Sequence, residues 1–305
     1  MTAAADSRRP VGRTASLARV AAVYAAATFV GLTWLVVGPD TGRLWLDTLL
    51  ADVLATLVVF VGSRVLHNSS VYDAYWSVAP PLLVLWWWSH GGAEADWTRS
   101  VVVVGVVMLW AVRLTANWVQ GWPGLQHEDW RYARLRARTR SDLAVDLFAI
   151  HLVPTLQVFL AMLPAYVAVT RGGGRGFGWL DAVALGLGVA AVALELVADA
   201  QMRRFVRTRE PGQVMERGVW AWCRHPNYLG ELTFWWALAL FGLAASPTDW
   251  WWLFAGAAAM LAMFLGASIP MMDQRSLERR PTYSEVMERV PALIPRPPRG
   301  PRGPS

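Results

Sequence analysis

Val20-Ala21-Ala22-Val23-Tyr24-Ala25-Ala26-Ala27-Thr28-Phe29-Val30-Gly31-Leu32-Thr33-Trp34-Leu35-Val36-Val37 runs for eighteen residues without a charge. A helix needs ~20 mostly apolar residues to cross a bilayer, so this run reads as a membrane span. Arg8, Arg9, Arg13 and Arg19 stand before it. The run is long for a signal-peptide core and lacks a clean cleavage signature, so we expect an uncleaved first helix with its N-terminus inside. Met1 to Ala18, rich in Ser, Arg and Ala, is expected to be a disordered basic tail.

Working outward, apolar segments recur at Leu44 to Val65, Tyr75 to Trp88, Val101 to Val119, Leu143 to Val169, Trp179 to Ala200, Leu229 to Ala245 and Trp250 to Ala267. The expected fold is therefore all-α, a polytopic transmembrane bundle of roughly 7–8 helices with no soluble nucleotide-binding domain. One transmembrane domain is expected over residues 19–295, with a Pro/Arg/Gly-rich disordered tail at 296–305. Hydrophobic residues make up 55% of the 305 and charged ones 16%, and the apolar runs are too long for a soluble core of this length.

Net charge is +6, and with no lysine in the chain all 28 basic residues are Arg. They cluster in loops, with five from Arg131 to Arg140, six from Arg203 to Arg224, and more after Arg275. The loops between these clusters are shorter or less basic. This pattern places both termini on the cytoplasmic side of a cell membrane and excludes a nucleic-acid patch. Trp86-Trp87-Trp88 and Trp250-Trp251-Trp252 fit an interfacial belt. The single Cys223 excludes an internal disulfide and a multi-cysteine metal site; it reads as a loop-end filler. No Walker loop, Gly-rich strand fingerprint or nucleophile elbow occurs. His127-Glu128-Asp129 is contiguous, without helical ligand spacing, so no metal is expected.

Chemistry concentrates in three polar stretches. Arg224-His225-Pro226-Asn227-Tyr228-Leu229-Gly230-Glu231 combines a guanidinium fork, an imidazole, an amide and a phenol at a Pro-started helix. Asn68 to Ser77 holds Tyr72, Asp73 and Trp76, and Gly121 to Tyr132 can turn back on an inner-face site. Polar residues inside the spans add to these. Glu195, Asp199 and Arg203 share one helix face at four-residue spacing, Arg113 and Asn117 lie one turn apart and can reach a common partner, and Asp52 and His151 sit in apolar runs.

These residues resemble the membrane-embedded steroid 5-alpha-reductase superfamily, in its bacterial multi-pass branch. The resemblance is strongest over residues 179–295. It is carried by Glu195-x-x-x-Asp199, the Arg224 to Glu231 signature, Asp273-x-Arg275, Arg279-Arg280-Pro281-x-Tyr283 and Ile294-Pro295. It implies NADPH-dependent reduction of a double bond in an apolar steroid-like, polyprenoid or lipid substrate entering from the bilayer. It further implies that Glu195, Asp199, Arg203, Arg224, His225, Asn227, Tyr228, Glu231, Asp273, Arg275, Arg279 and Tyr283 line the cofactor. Glu195 stands where characterised reductases carry a polar amide. Tyr72 and Asp73 are assigned to the substrate's proton donor, and Asp52, Trp76, Arg113 and Asn117 to substrate binding. More distantly the chain resembles isoprenylcysteine carboxyl methyltransferases, which implies S-adenosylmethionine instead; those enzymes carry a Glu-Glu pair where this chain has Met272-Asp273. A non-catalytic lipid-binding scaffold is the third reading.

Overall fold

The computed structural model describes residues 12–92, 95–171 and 174–298, and all described regular structure is helical. Gly172 and Gly173, most of the expected N-terminal tail and the last residues of the C-terminal one lie outside the described residues. Among the described residues, seven helices are long and apolar enough to cross a membrane. In chain order these are α1 (Arg13–Val37), α2 (Leu44–Val65), α4 (Trp97–Gly121), α6 (Asp142–Thr170), α7 (Trp179–Thr208), α8 (Pro226–Ala245) and α9 (Pro247–Arg279). Among the described residues the shorter α-helices are α3 (Tyr75–Ser89), α5 (Trp130–Arg136) and α10 (Tyr283–Arg289), with 3-10 turns at Ser69–Tyr72 and Gly218–Ala221. The chain is thus an all-helical, multi-pass membrane protein.

Two expectations shift in detail. Helix α1 begins at Arg13, inside the stretch that composition assigns to a disordered tail. Helix α3, one of the expected spans, has fifteen residues with Pro80 and Pro81 inside it. At 1.5 Å per residue it reaches about 22 Å, less than the ~30 Å hydrocarbon core.

The chain forms two compact units. The first comprises Met1–Leu83 and Leu114–Phe159, the second Val84–Arg113 and Leu160–Ser305. In the first, Val20, Ala27, Ala55, Val59, Tyr72, Tyr75 and Trp122 form a buried cluster. Helix α6 opens into a π-helical stretch at Val145–Leu152. There the His151 ring is held by the Asp146 carbonyl at 2.6 Å and the Ser63 hydroxyl at 3.0 Å. Since the carbonyl can only accept, Nδ1 carries the proton and Nε2 accepts from Ser63. The buried imidazole is thereby satisfied as a structural group.

In the second unit α7 and α8 pack closely. A Cβ on Gly230 would meet Glu195 Cγ at 2.5 Å and the Ala191 carbonyl at 2.9 Å. The glycine of the Arg224 to Glu231 stretch is therefore the point where the α8 backbone is admitted against α7. Arg99, at the start of α4, is clamped by Asp181 at 2.7 and 2.9 Å and by the carbonyls of Arg175 and Gly176, each at 3.0 Å.

Candidate functional site

Helix α4 turns its two sides to different surroundings, with Val112 67% exposed and its neighbour Arg113 8% exposed. An apolar face toward lipid and a cation toward protein is the arrangement a charged residue in a span requires. Arg113 pairs with Glu195, reaches Asp199 at 3.1 Å, and lies 3.6 Å from Glu231. Glu231 also accepts from the indole N–H groups of Trp110 at 3.0 Å and Trp235 at 2.9 Å. Phe234 stacks on Trp110 at 4.6 Å, completing an aromatic wall. One guanidinium is thus shared by three carboxyls on two other helices. Among the described residues, Arg113 Nε and Glu195 Oε1 are buried without a hydrogen-bond partner.

The Arg224 to Glu231 stretch is organised differently from a row of free ligands. Asp273, on α9, accepts from Arg224 Nη2 at 2.7 Å, His225 Nε2 at 3.0 Å and the Tyr283 hydroxyl at 3.1 Å. Arg224 Nη1 donates to the Val290 carbonyl at 2.6 Å. The backbone N–H groups of Arg224 and His225 bond to the carbonyls of Pro291 and Ala292. Arg224, His225, Asp273 and Tyr283 therefore hold one another and dock the C-terminal segment beside the start of α8. Burial and the Asp273 carboxylate push the Tyr283 phenol well above its usual range. Pro226 begins α8 without wasting a donor, and Tyr228 stacks on His225 with centroids 5.2 Å apart. Asn227 is half-buried on the first turn. Burial pushes the Cys223 thiol up to about 11, which keeps it protonated at neutral pH. Arg280 donates to the Gln213 carbonyl at 3.1 Å, and burial with Arg209 nearby depresses its pKa.

In the first unit the two polar stretches Asn68 to Ser77 and Gly121 to Tyr132 bind each other. Asn68 Nδ2 donates to the carbonyls of Leu125 and His127 at 2.8 and 3.0 Å. Glu128 accepts from the Ser69 N–H at 2.7 Å and from Arg136 at 2.7 and 2.9 Å. Burial raises the Glu128 carboxyl, but those donors outweigh it and leave its pKa below the usual value. Among the described residues no group of His, Cys, Asp or Glu has the arrangement to hold a metal ion.

Tyr72 and Asp73 have separate surroundings. The Tyr72 hydroxyl is 2.7 Å from Thr155 Oγ1, which is 2.9 Å from Thr56 Oγ1. Asp73 accepts from the Tyr132 hydroxyl. A pair that the sequence reading missed lies beside them: the Tyr75 hydroxyl donates to Asp52 Oδ1 at 3.3 Å, both groups buried. The two residues are twenty-three positions apart, and no local spacing marks them.

Burial, opposed by Arg131 and Tyr132, leaves the Asp73 pKa raised from 3.8 to about 6. The folded chain therefore keeps a proton that the unfolded chain releases over that interval, and stability should fall as pH rises through it. Asp73→Asn is expected to flatten this slope and raise stability at pH 7 by on the order of 1–3 kcal/mol. Melting curves of both proteins between pH 4.5 and 7.5 check this, and parallel curves would refute it.

A multi-pass helical membrane protein with a buried Arg-carboxyl centre and a bonded C-terminal clasp is the class that fold and site define. Residues 59–290 match the family described as "Protein of unknown function (DUF1295)", and the chain belongs to that family. It is also 27% identical over 281 residues to an uncharacterized protein of the yeast Schizosaccharomyces pombe, covering 85% of this chain and 80% of the relative. No solved structure matches it.

Proposed function

We propose that this protein is a membrane-embedded NADPH-dependent reductase of an apolar substrate, of the steroid 5-alpha-reductase type that its motifs resemble. The observation that supports this best is the centre at Arg113. A polar constellation inside apolar helices, with one buried donor and one buried acceptor unmatched, has more hydrogen-bonding capacity than packing requires. A nicotinamide carboxamide offers both an acceptor and N–H donors, and it would satisfy Arg113 Nε and Glu195 Oε1 together. The basic loops from Arg203 to Arg224 favour a cytoplasmic position for the adjoining helix ends, on the side where a dinucleotide is dissolved.

When bound, the cofactor supplies a hydride for an electron-poor carbon–carbon double bond. Residues of the chain would do the rest. Asp199 and Asn227 would orient the cofactor, while Trp110, Phe234 and Trp235 exclude water from the carboxyl centre. Arg224 is read here as a support, since Asp273 and main-chain carbonyls occupy its donors.

One observation favours a second reading. Three carboxyls around one guanidinium form an acidic centre, which suits the cationic groups of S-adenosylmethionine and a methyltransferase activity. Thermal-shift titration of the detergent-purified protein with NADPH and with S-adenosylmethionine separates the two. Stabilisation by NADPH alone is expected, and stabilisation by S-adenosylmethionine alone would overturn the reductase reading. A response to neither would favour the scaffold. Asn227→Ala and Glu195→Gln should each weaken NADPH binding by about 10–100-fold, the equivalent of ~1.5–3 kcal/mol for a charge-assisted hydrogen bond.

A further inference from the structure

We propose that Arg209, Arg279 and Arg280 hold a phosphate group between the ends of α7 and α9, that of an anionic phospholipid headgroup. Arg209 caps the C-terminus of α7, and Arg280 caps that of α9. Beyond Arg209 the chain turns at Gly212, with φ +87°, and returns to α9, where the Gln213 carbonyl accepts from Arg280 Nη1 at 3.1 Å. Val214 and Leu277 then pack against Tyr283, Val286 and Val290. Apolar packing thus pins the loop that follows Arg209 to the segment that carries Arg279 and Arg280.

A helix dipole favours a cation at each C-terminus, but it does not favour bringing two such ends together. Burial lowers the Arg280 pKa, and Arg209 and Arg279 lower it further against the opposing Tyr283 phenol. Nearby carboxylates are engaged elsewhere. Asp273 pairs with Arg224 at 2.7 Å, Glu216 pairs with Arg289 at 2.8 Å, and Glu278 accepts from Gln274 Nε2 at 3.1 Å. Among the described residues no carboxylate pairs with Arg209, Arg279 or Arg280. Three guanidinium forks without a counter-charge suit the oxygens of a phosphate. The level of the cluster favours lipid as its source. Arg209 stands six residues past Arg203, the first cation of α7, and Arg279 stands four past Arg275, the first of α9. At 1.5 Å per residue these positions lie about 9 and 6 Å beyond the ends of the apolar runs. A headgroup layer extends ~5–8 Å past the hydrocarbon core, and basic pockets between helix ends at that level hold anionic headgroups. The site does not require the reductase reading.

Melting of the full chain in detergent, with phosphatidylglycerol, phosphatidylcholine or inorganic phosphate added at constant ionic strength, tests the assignment. Phosphatidylglycerol is expected to raise the melting temperature well above the effect of zwitterionic phosphatidylcholine. Arg209→Glu supplies a carboxylate of its own, so without lipid it should melt at or above the parent, and phosphatidylglycerol should no longer raise it. Arg209→Gln removes the charge without replacing the anion and should lose part of the rise. Arg138→Glu, in the basic stretch of the first unit, should keep all of it. A rise that survives in Arg209→Glu, falls equally in Arg138→Glu, or is matched by phosphatidylcholine would overturn the site. Inorganic phosphate acting as strongly as phosphatidylglycerol, and only while Arg209 is present, would overturn the lipid source in favour of a soluble phosphate. Stabilisation by NADPH that Arg209→Glu abolishes would likewise give the site to the cofactor, where the family resemblance expects Arg279.

Discussion

Replacing Arg113 with alanine is expected to cost the folded chain on the order of 3–5 kcal/mol, the range for removing one partner of a buried ion pair. Glu195, Asp199 and Glu231 would then face one another without a cation, on membrane-spanning helices where water cannot compensate. The two indole donors on Glu231 would remain, so that carboxyl suffers least. Glu195, almost fully buried and paired through Arg113, suffers most. Arg113→Lys keeps the charge but not the planar fork that reaches three carboxyls, and an intermediate loss is expected. The decisive comparison is Arg113→Ala/Glu195→Gln, which removes the most exposed consequence of the first change and should recover part of the stability. Thermal unfolding in detergent measures all three. An Arg113→Ala protein as stable as the parent would mean that the centre does not hold the helices together.

That centre shows which part of the site was legible in sequence. Glu195 and Asp199 announce a common face because a helix fixes spacing within itself. Their partnership with Arg113 does not follow from spacing, since it depends on α4 packing beside α7. Gly230 gives the same lesson from the other side. Its place in the motif is visible, but only the contact with Glu195 explains why the position excludes a side chain. The apolar runs mark the membrane class and the spans, seven of them within the expected 7–8, while α3 stays at fifteen residues around Pro80 and Pro81. Asp52 and Tyr75 were each seen as residue types, and their pairing came only from the way α2 and α3 meet within the first unit.

Asp273→Ala is expected to release the C-terminal clasp and to make Cys223 reactive. Arg224, His225 and Tyr283 all converge on this one carboxylate, so its removal leaves a largely buried guanidinium without its counter-charge and two further groups without an acceptor. The expected loss is again about 3–5 kcal/mol, but it falls on one segment: the residues after α9 and the loop before α8. Cys223, the only cysteine, is 1% exposed and precedes Arg224, whose N–H bonds to Pro291. It thus reports opening of that segment. If even ~1.4 kcal/mol of the loss goes into local opening, the open population rises tenfold, and maleimide labelling rises with it. Asp273→Asn keeps an acceptor for Tyr283 or Arg224 while giving up the charge, so a smaller acceleration is expected. Labelling well below the melting temperature, with helical circular dichroism unchanged, separates local release from global unfolding. Labelling as slow as in the parent would mean that the backbone bonds to Pro291 and Ala292 hold the clasp without the carboxylate.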